Sequence, residues 1–330
     1  MENPLLRGKG AENMKRFIIF FIIIILIFTQ PASAAIFINQ EYIDINHVNI
    51  DHCNYITLED AENSFGYSPE GINIDEYIPI RAAAKQQGYF VRWDEANVYL
   101  DDREPLIFRQ VIGNSYQNRP IEAVYLIPPT YDKTILAAFA VHGFEDQYYR
   151  DGVILTQIAE QVIKYYSDQP ELLKFTRLII VPCVNPDGVN AGESNNGFGR
   201  CNAQGIDINR DFDYNWGKIN TSRNKTGNQP FTSPEAQVLR DIVLNENPDI
   251  VLDFHGWLDC CYSSDIELKN CFVSSLSLGA EKKALPGYKP QQGYFVGWAS
   301  QYARAALIEY KYKDADILST QTIQVFNKLI

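Results

Sequence analysis

Three kinds of apolar pattern follow one another along this chain. The first is a continuous run, residues 17–28, directly after Lys15-Arg16. The second is a set of short runs, 36–42, 76–80, 89–93 and 97–100, which predict strands. A helix is predicted over 81–87, closed by Gly88, because Gly enters the left-handed conformation at a helix end without a Cβ penalty. The third begins after the charged, Pro-ended stretch Asp101-Asp-Arg-Glu-Pro105. Apolar strand candidates at 121–127, 135–141, 177–182, 250–254 and 305–310 alternate there with helix candidates at 152–166, 234–246, 298–303 and 319–329. Such alternation predicts an α/β domain with a mixed, largely parallel sheet. The short runs before it read as a small α+β module. In parallel sheets, ligands gather at the carboxyl ends of the strands.

The first run is expected to lie outside the fold. A basic pair, a short apolar core and Pro31-Ala-Ser-Ala-Ala35 describe a secretory signal peptide, with cleavage expected after Ala34. The run is short for a bilayer span, so an uncleaved anchor is the lesser alternative. Met14 is a second candidate start. The expected organisation is a signal peptide over 1–34, a small domain over 35–104 and a larger one over 105–330, in a secreted or cell-surface protein. A length of 330 residues fits about two domains. The net charge of −12 argues against nucleic acid and anionic membrane surfaces as partners. Six Cys lie in the exported part, where disulfides are permitted, and six allow 15 pairings. No Cys-x-x-Cys pair suggests a thiolate site. A bridge involving Cys260-Cys261 and free buried thiols are equal expectations. The sequence carries no signal of oligomeric state.

Candidate chemistry stands where apolar runs end. Thr134-Ile-Leu-Ala-Ala-Phe-Ala-Val141 runs directly into His142-Gly-Phe-Glu145. A strand ending on His-x-x-Glu sets an imidazole and a carboxylate together at a sheet edge. Hydrolytic zinc is commonly held by two His and one Glu, with water in the fourth position. The chain has four His. His47 and His52 have no third partner at ligand spacing and read as surface or core residues rather than copper ligands. That leaves His255, which follows the apolar run 249–254. Taken alone, the pair reads more readily as a loop His beside a solvated carboxylate. Asn185-Pro-Asp-Gly188 follows a strand candidate and by itself is only a turn. Arg200 and Gly205-Ile-Asp-Ile-Asn-Arg210 gather two Arg and an Asn in an acidic chain. An Asn-Arg pair offers a fork of donors suited to one carboxylate, and a second Arg can polarise a carbonyl. A solvated basic loop is the bland alternative, made awkward by the apolar residues between.

Together, His142-x-x-Glu145, Asn185-Pro-Asp-Gly188, Arg200, Gly205-x-Asp-x-Asn209-Arg210, Ser233-Pro-Glu235, His255 and Ile308-Glu309 resemble the zinc carboxypeptidases of the carboxypeptidase A type. Val111-Ile-Gly-Asn-Ser and Arg119-Pro-Ile121 are similar to that family's domain start. The resemblance runs from about residue 106 to the end, about two-thirds of the chain. It implies a three-layer α/β/α sandwich and one zinc ion held by His142, Glu145 and His255. Asp207 is implied to fix the His142 tautomer from its far nitrogen. Glu309 is implied as the general base that takes a proton from the attacking water and delivers it to the leaving amine. Arg200 is implied to stabilise the oxyanion, and Asn209 with Arg210 to clamp the substrate's free C-terminal carboxylate. A substrate-capping Tyr is implied before the catalytic Glu; Tyr288 is the first choice and Tyr294 the second. Val296 falls near the family's pocket floor. His255 is followed by Gly256-Trp257 where many relatives have Ser-Tyr, a departure that bears on the penultimate residue of the substrate.

The first domain, through Tyr77-Ile-Pro-Ile-Arg-Ala-Ala-Ala84, Val91-Arg-Trp-Asp94 and Val98-Tyr-Leu100, resembles the small domain named for the N-terminus of copper amine oxidase. That resemblance implies a stalk or cell-wall attachment module, not copper chemistry. The function expected is hydrolysis of the C-terminal amide bond of peptides. The alternatives are a murein-peptide hydrolase on the same scaffold, such as a γ-D-glutamyl-diamino acid peptidase or amidase, and an inactive wall-binding protein. A further reading makes 36–104 an inhibitory pro-segment.

Overall fold

The computed structural model describes residues 35–45, 47–50, 53–67, 77–94, 97–145, 150–192, 199–279 and 292–330. The expected signal segment, His52 and Tyr288 lie outside them. The chain divides into two compact units, Met1–Asp102 and Arg103–Ile330.

In the first unit the described elements are β1 (Ile36–Ile38), β2 (Glu41–Ile43), β3 (His47–Ile50), β4 (Cys53–Thr57), α1 (Leu58–Phe65), β5 (Tyr77–Pro79), α2 (Ile80–Gln86), β6 (Phe90–Trp93) and β7 (Val98–Asp101). They form a four-stranded sheet, β2-β1-β7-β6, and a three-stranded one, β3-β4-β5. The strand expected over 36–42 is instead a hairpin. Asn39 and Gln40 take φ of 49° and 72°, and Glu41–Ile43 pairs back antiparallel on Ile36–Ile38. Two successive positive φ values match the right-handed twist of a two-residue hairpin turn. Ile36, Ile56, Ile80, Val91 and Leu100 are among the residues that fill this unit's core. Arg92 is buried beside it, its Nε 2.7 Å from Asp101.

The second unit carries β8 (Leu106–Asn114), β9 (Pro120–Ile127), β10 (Lys133–Phe139), α3 (Asp151–Asp168), β11 (Thr176–Val181), α4 (Pro186–Ala191), α5 (Pro234–Glu246), β12 (Ile250–Gly256), β13 (Cys260–Tyr262), α6 (Ile266–Leu276), α7 (Phe295–Ala299), β14 (Arg304–Tyr310) and α8 (Ala315–Leu329). Seven strands make one sheet in the order β13-β14-β12-β10-β11-β9-β8. The central four, β14, β12, β10 and β11, run parallel, and β13, β9 and β8 are antiparallel additions. One apolar layer joins the sheet to α3, α6 and α8, the other to α5 and α7. This is the expected three-layer α/β sandwich. The helix expected over 298–303 is shifted: α7 ends at Ala299, and a turn leads into β14.

Strand periodicity decides which side chains meet. Along β12, Ile250, Leu252 and Phe254 enter one apolar layer, whereas Val251 enters the other. Asp253 and His255 therefore share the Val251 face, because side chains alternate along a strand. On β14, Ala305 and Leu307 mark the same layer, so Glu309 shares it. The parallel register pairs His255 with Glu309. Phe254, on the opposite face, is fully buried and stacks on Phe139 at 4.3 Å and on Tyr310 at 5.7 Å. Phe254→Ala is expected to cost about 3–5 kcal/mol of unfolding free energy, read as a lowered urea midpoint with an unchanged slope.

Candidate metal centre and active site

The site lies at the carboxyl ends of the parallel strands. The chain leaves β10 through Ala140, at φ 52°, and reaches His142. A Cβ on Gly143 would collide with the backbone of Gly188, Gly199 and Val189. The His-x-x-Glu loop is therefore packed directly on the Asn185-Pro-Asp-Gly turn. That turn has its own task. Asn185 Oδ1 accepts the Gly188 N–H at 2.9 Å, and its Nδ2 donates to the carbonyls of Arg200 at 3.4 Å and Cys201 at 3.1 Å. Buried Glu235 accepts from Asn202 Nδ2 at 2.8 Å and from the Tyr116 N–H at 3.0 Å. The two turn motifs thus hold the loop that carries Arg200.

His142, Glu145 and His255 come together, all buried, with ligand atoms within 4.8 Å of one another. The Nδ1 atoms of both imidazoles face Glu145, at 3.1 Å for His142 and 2.7 Å for His255. The far nitrogens face carboxylates: His142 Nε2 is 2.9 Å from Asp207, and His255 Nε2 is 2.8 Å from Asp253. Two imidazoles and a carboxylate, each ring backed by an acid, form a donor set that suits zinc. The residues present therefore fit the ion.

Electrostatics bind the cluster tightly. Burial alone raises the Glu145 and Asp207 carboxyls, but the adjoining imidazoles, with Arg200 beside Asp207, outweigh it and hold both well below the usual carboxylate range. Burial works against a charged His255, yet Asp253 and Glu145 raise it well above the ordinary imidazole value. Glu309 is different. Burial, then the nearby Glu145 carboxylate, raise it, and His255 and Arg200 only partly offset that. Arg200 is buried with Nη1 3.2 Å from Glu145 and Nη2 3.4 Å from Asp207.

The remaining expected residues are placed as follows. Asn209 is buried, and its amide oxygen is engaged within the protein. Its Oδ1 accepts the Phe295 N–H at 2.8 Å, and its Nδ2 lies 3.3 Å from His255 Nε2. Arg210 is half-buried, donates from Nη1 to the Asn209 carbonyl at 2.7 Å and lies over the Tyr294 ring at 4.3 Å. Val296 is packed in the apolar layer between α7 and the sheet. His47 donates from Nδ1 to the Ile45 carbonyl, 3.1 Å away, and is outside the metal-ligand group found among the described residues. None of Cys183, Cys201, Cys260, Cys261 and Cys271 is in a disulfide.

Two buried acids at the site escaped the sequence reading. Asp253 carried a signal: an acid inside an apolar strand run, two residues before His255, needs a buried partner. Asp151 carried none, because its partners, Glu145 and Trp257, are contacts of the folded chain.

Comparison with known proteins agrees with this geometry. Bacteriocin BCN5 of Clostridium perfringens is 32% identical over 177 residues, 52% of this chain and 19% of that protein. Murein peptide amidase A of Escherichia coli K12 is 34% identical over 94 residues, 24% of this chain and 36% of that protein. The chain thus spans about a fifth and about a third of these curated relatives. The crystal structure of carboxypeptidase A from Helicoverpa armigera shares the fold, with a TM-score of 0.52 at 17% identity, over 68% of this chain and 67% of that one. A family model described as zinc carboxypeptidase matches residues 98–264, which takes in all three clustered ligands and stops short of Glu309. With half its length under that match, the chain belongs to the zinc carboxypeptidase family.

Proposed function

We propose that the protein is an exported zinc metallocarboxypeptidase that hydrolyses the C-terminal amide bond of peptides. The observation that supports this most directly is the parallel register of His255 with Glu309, which sets a buried carboxyl beside the His-Glu-His group. Zinc, when bound, supplies Lewis acidity toward the scissile carbonyl and the attacking water. Glu309 takes the water proton as the C–O bond forms and delivers it to the amine nitrogen as the C–N bond breaks. A raised carboxyl suits a group that must both accept and return a proton. A bound dication would act in the opposite direction and favour the ionised base. Arg200 places a guanidinium beside Glu145, where the oxyanion develops. Asp207 holds the His142 imidazole in the tautomer that leaves Nδ1 for the metal, and Asp253 places a carboxylate 2.8 Å from His255 Nε2.

Exopeptidase character rests on Arg210. Its half-buried guanidinium over Tyr294 is the clamp for a free C-terminal carboxylate. Arg210→Ala is expected to raise KM for peptides with a free C-terminus about 10- to 100-fold, as for a lost hydrogen bond between charged groups. Hydrolysis of the same peptides bearing a C-terminal amide is expected to change little. Equal loss on both substrates removes the clamp assignment.

A second reading, a murein-peptide amidase or γ-D-glutamyl-diamino acid peptidase, is favoured by the 34% identity to a murein peptide amidase. In it the first unit serves as a wall-attachment module. Mass spectrometry of a mixed peptide and muropeptide pool, digested with and without chelator, decides between the substrates. Cleavage of neither, at full zinc occupancy, overturns both readings and leaves an inactive wall-binding protein.

A further inference from the structure

Asp151 is fully buried at the first position of α3, an 18-residue helix packed into the core. Its two carboxylate oxygens are divided between two loops. Oδ1 accepts the backbone N–H of Glu145 at 2.7 Å, and Oδ2 accepts the indole N–H of Trp257 at 3.0 Å. Glu145 is one metal-ligating candidate, and Trp257 stands two residues beyond another, His255. A carboxylate in the first turn of a long helix is favoured by the helix dipole, and the helix that carries Asp151 is packed into the core. We propose that Asp151 is a positioning residue that fixes the spacing of the zinc ligands by tying the Glu145 loop to the loop after His255. This rests on reading His142, Glu145 and His255 as those ligands. It also gives Trp257 a role: its indole donates to Asp151 while its ring closes edge-on against Tyr312, 5.5 Å away.

The argument is one of complementary donors. A carboxylate has only acceptors and satisfies both N–H groups. Asp151→Asn keeps the shape but turns an NH2 group onto one of the two N–H donors. Zinc affinity of the full chain, measured by competition with a chromogenic chelator, is expected to fall about 10- to 100-fold in that variant. Trp257→Phe alone removes one donor and is expected to weaken zinc about 3- to 10-fold. Combining Asp151→Asn with Trp257→Phe removes the donor–donor conflict, so the double variant is expected to bind zinc as Trp257→Phe alone does. An acid that serves only the fold would lower the unfolding midpoint and leave zinc affinity unchanged. Unchanged affinity in Asp151→Asn, or additive loss in the double variant, overturns the proposal. Should Asp151→Asn fail to fold, an unchanged affinity in Trp257→Phe overturns it. Wild-type protein that binds no zinc sinks the ligand assignment and this inference with it. Binding lost in His255→Ala but intact in Asp151→Asn sinks this inference alone.

Discussion

Glu309→Gln is expected to lower kcat about 100- to 10,000-fold, the range for loss of a positioned general base, with zinc still bound at one per chain. The substitution is nearly isosteric. A Gln side chain still presents an oxygen to the Leu258 N–H, which Glu309 Oε2 meets at 3.5 Å. It also relieves the repulsion from Glu145 that helps raise the Glu309 carboxyl, so the fold is expected to be no less stable. What it removes is a basic oxygen beside His255. The water loses its proton acceptor, and the leaving amine loses its proton donor. Because both steps pass through one group, the loss is expected in kcat rather than KM. The measurement is steady-state hydrolysis of a free C-terminal peptide alongside metal analysis of the same preparation. Turnover within tenfold of the wild type at full zinc occupancy would place the base elsewhere.

The parallel core was legible because strands buried on both faces read as unbroken apolar runs, as at 135–141, 177–182, 250–254 and 305–310. Strand β8 was not, since most of its side chains are exposed and its pattern is weak, and β13 spans three residues. At the site, residue type and order carried His142, Glu145 and His255 into one group, while the place of Glu309 depended on inter-strand register. Only the family resemblance brought Glu309 to the site. Asn209 shows the limit from another side. Its residue type suits a carboxylate clamp, and nothing in the sequence marks that its Oδ1 also accepts the Phe295 N–H. Asp151 shows it most plainly, since nothing local in the sequence marks a carboxylate that meets an indole 106 positions away.

Removing zinc is expected to abolish activity and to lower the thermal midpoint of the second unit, with both restored by added zinc. The reason lies in what the ion would replace. Without it, Glu145 is held by His142, His255 and Arg200, with Asp207, Asp253 and Glu309 close around them. The surrounding carboxylates favour a protonated His255, and a ligand to zinc must be neutral at the bound nitrogen. Zinc uptake is therefore expected to release protons into a weakly buffered solution, and zinc affinity to rise with pH. The sign follows from the shift: the raised His255 pKa means that a proton competes with the ion below that value and ceases to compete above it. At free zinc about 1,000-fold above the dissociation constant, linkage adds about 4 kcal/mol to the folded state. For a unit of this size that corresponds to a midpoint about 8–16 °C higher. His255→Ala is the decisive control. It removes one imidazole and leaves Glu145 with His142 and Arg200, so the zinc-dependent rise in midpoint is expected to vanish with the activity. A full midpoint shift retained in His255→Ala would place the zinc outside this cluster, and the catalytic geometry built on the His255–Glu309 register would fall with it.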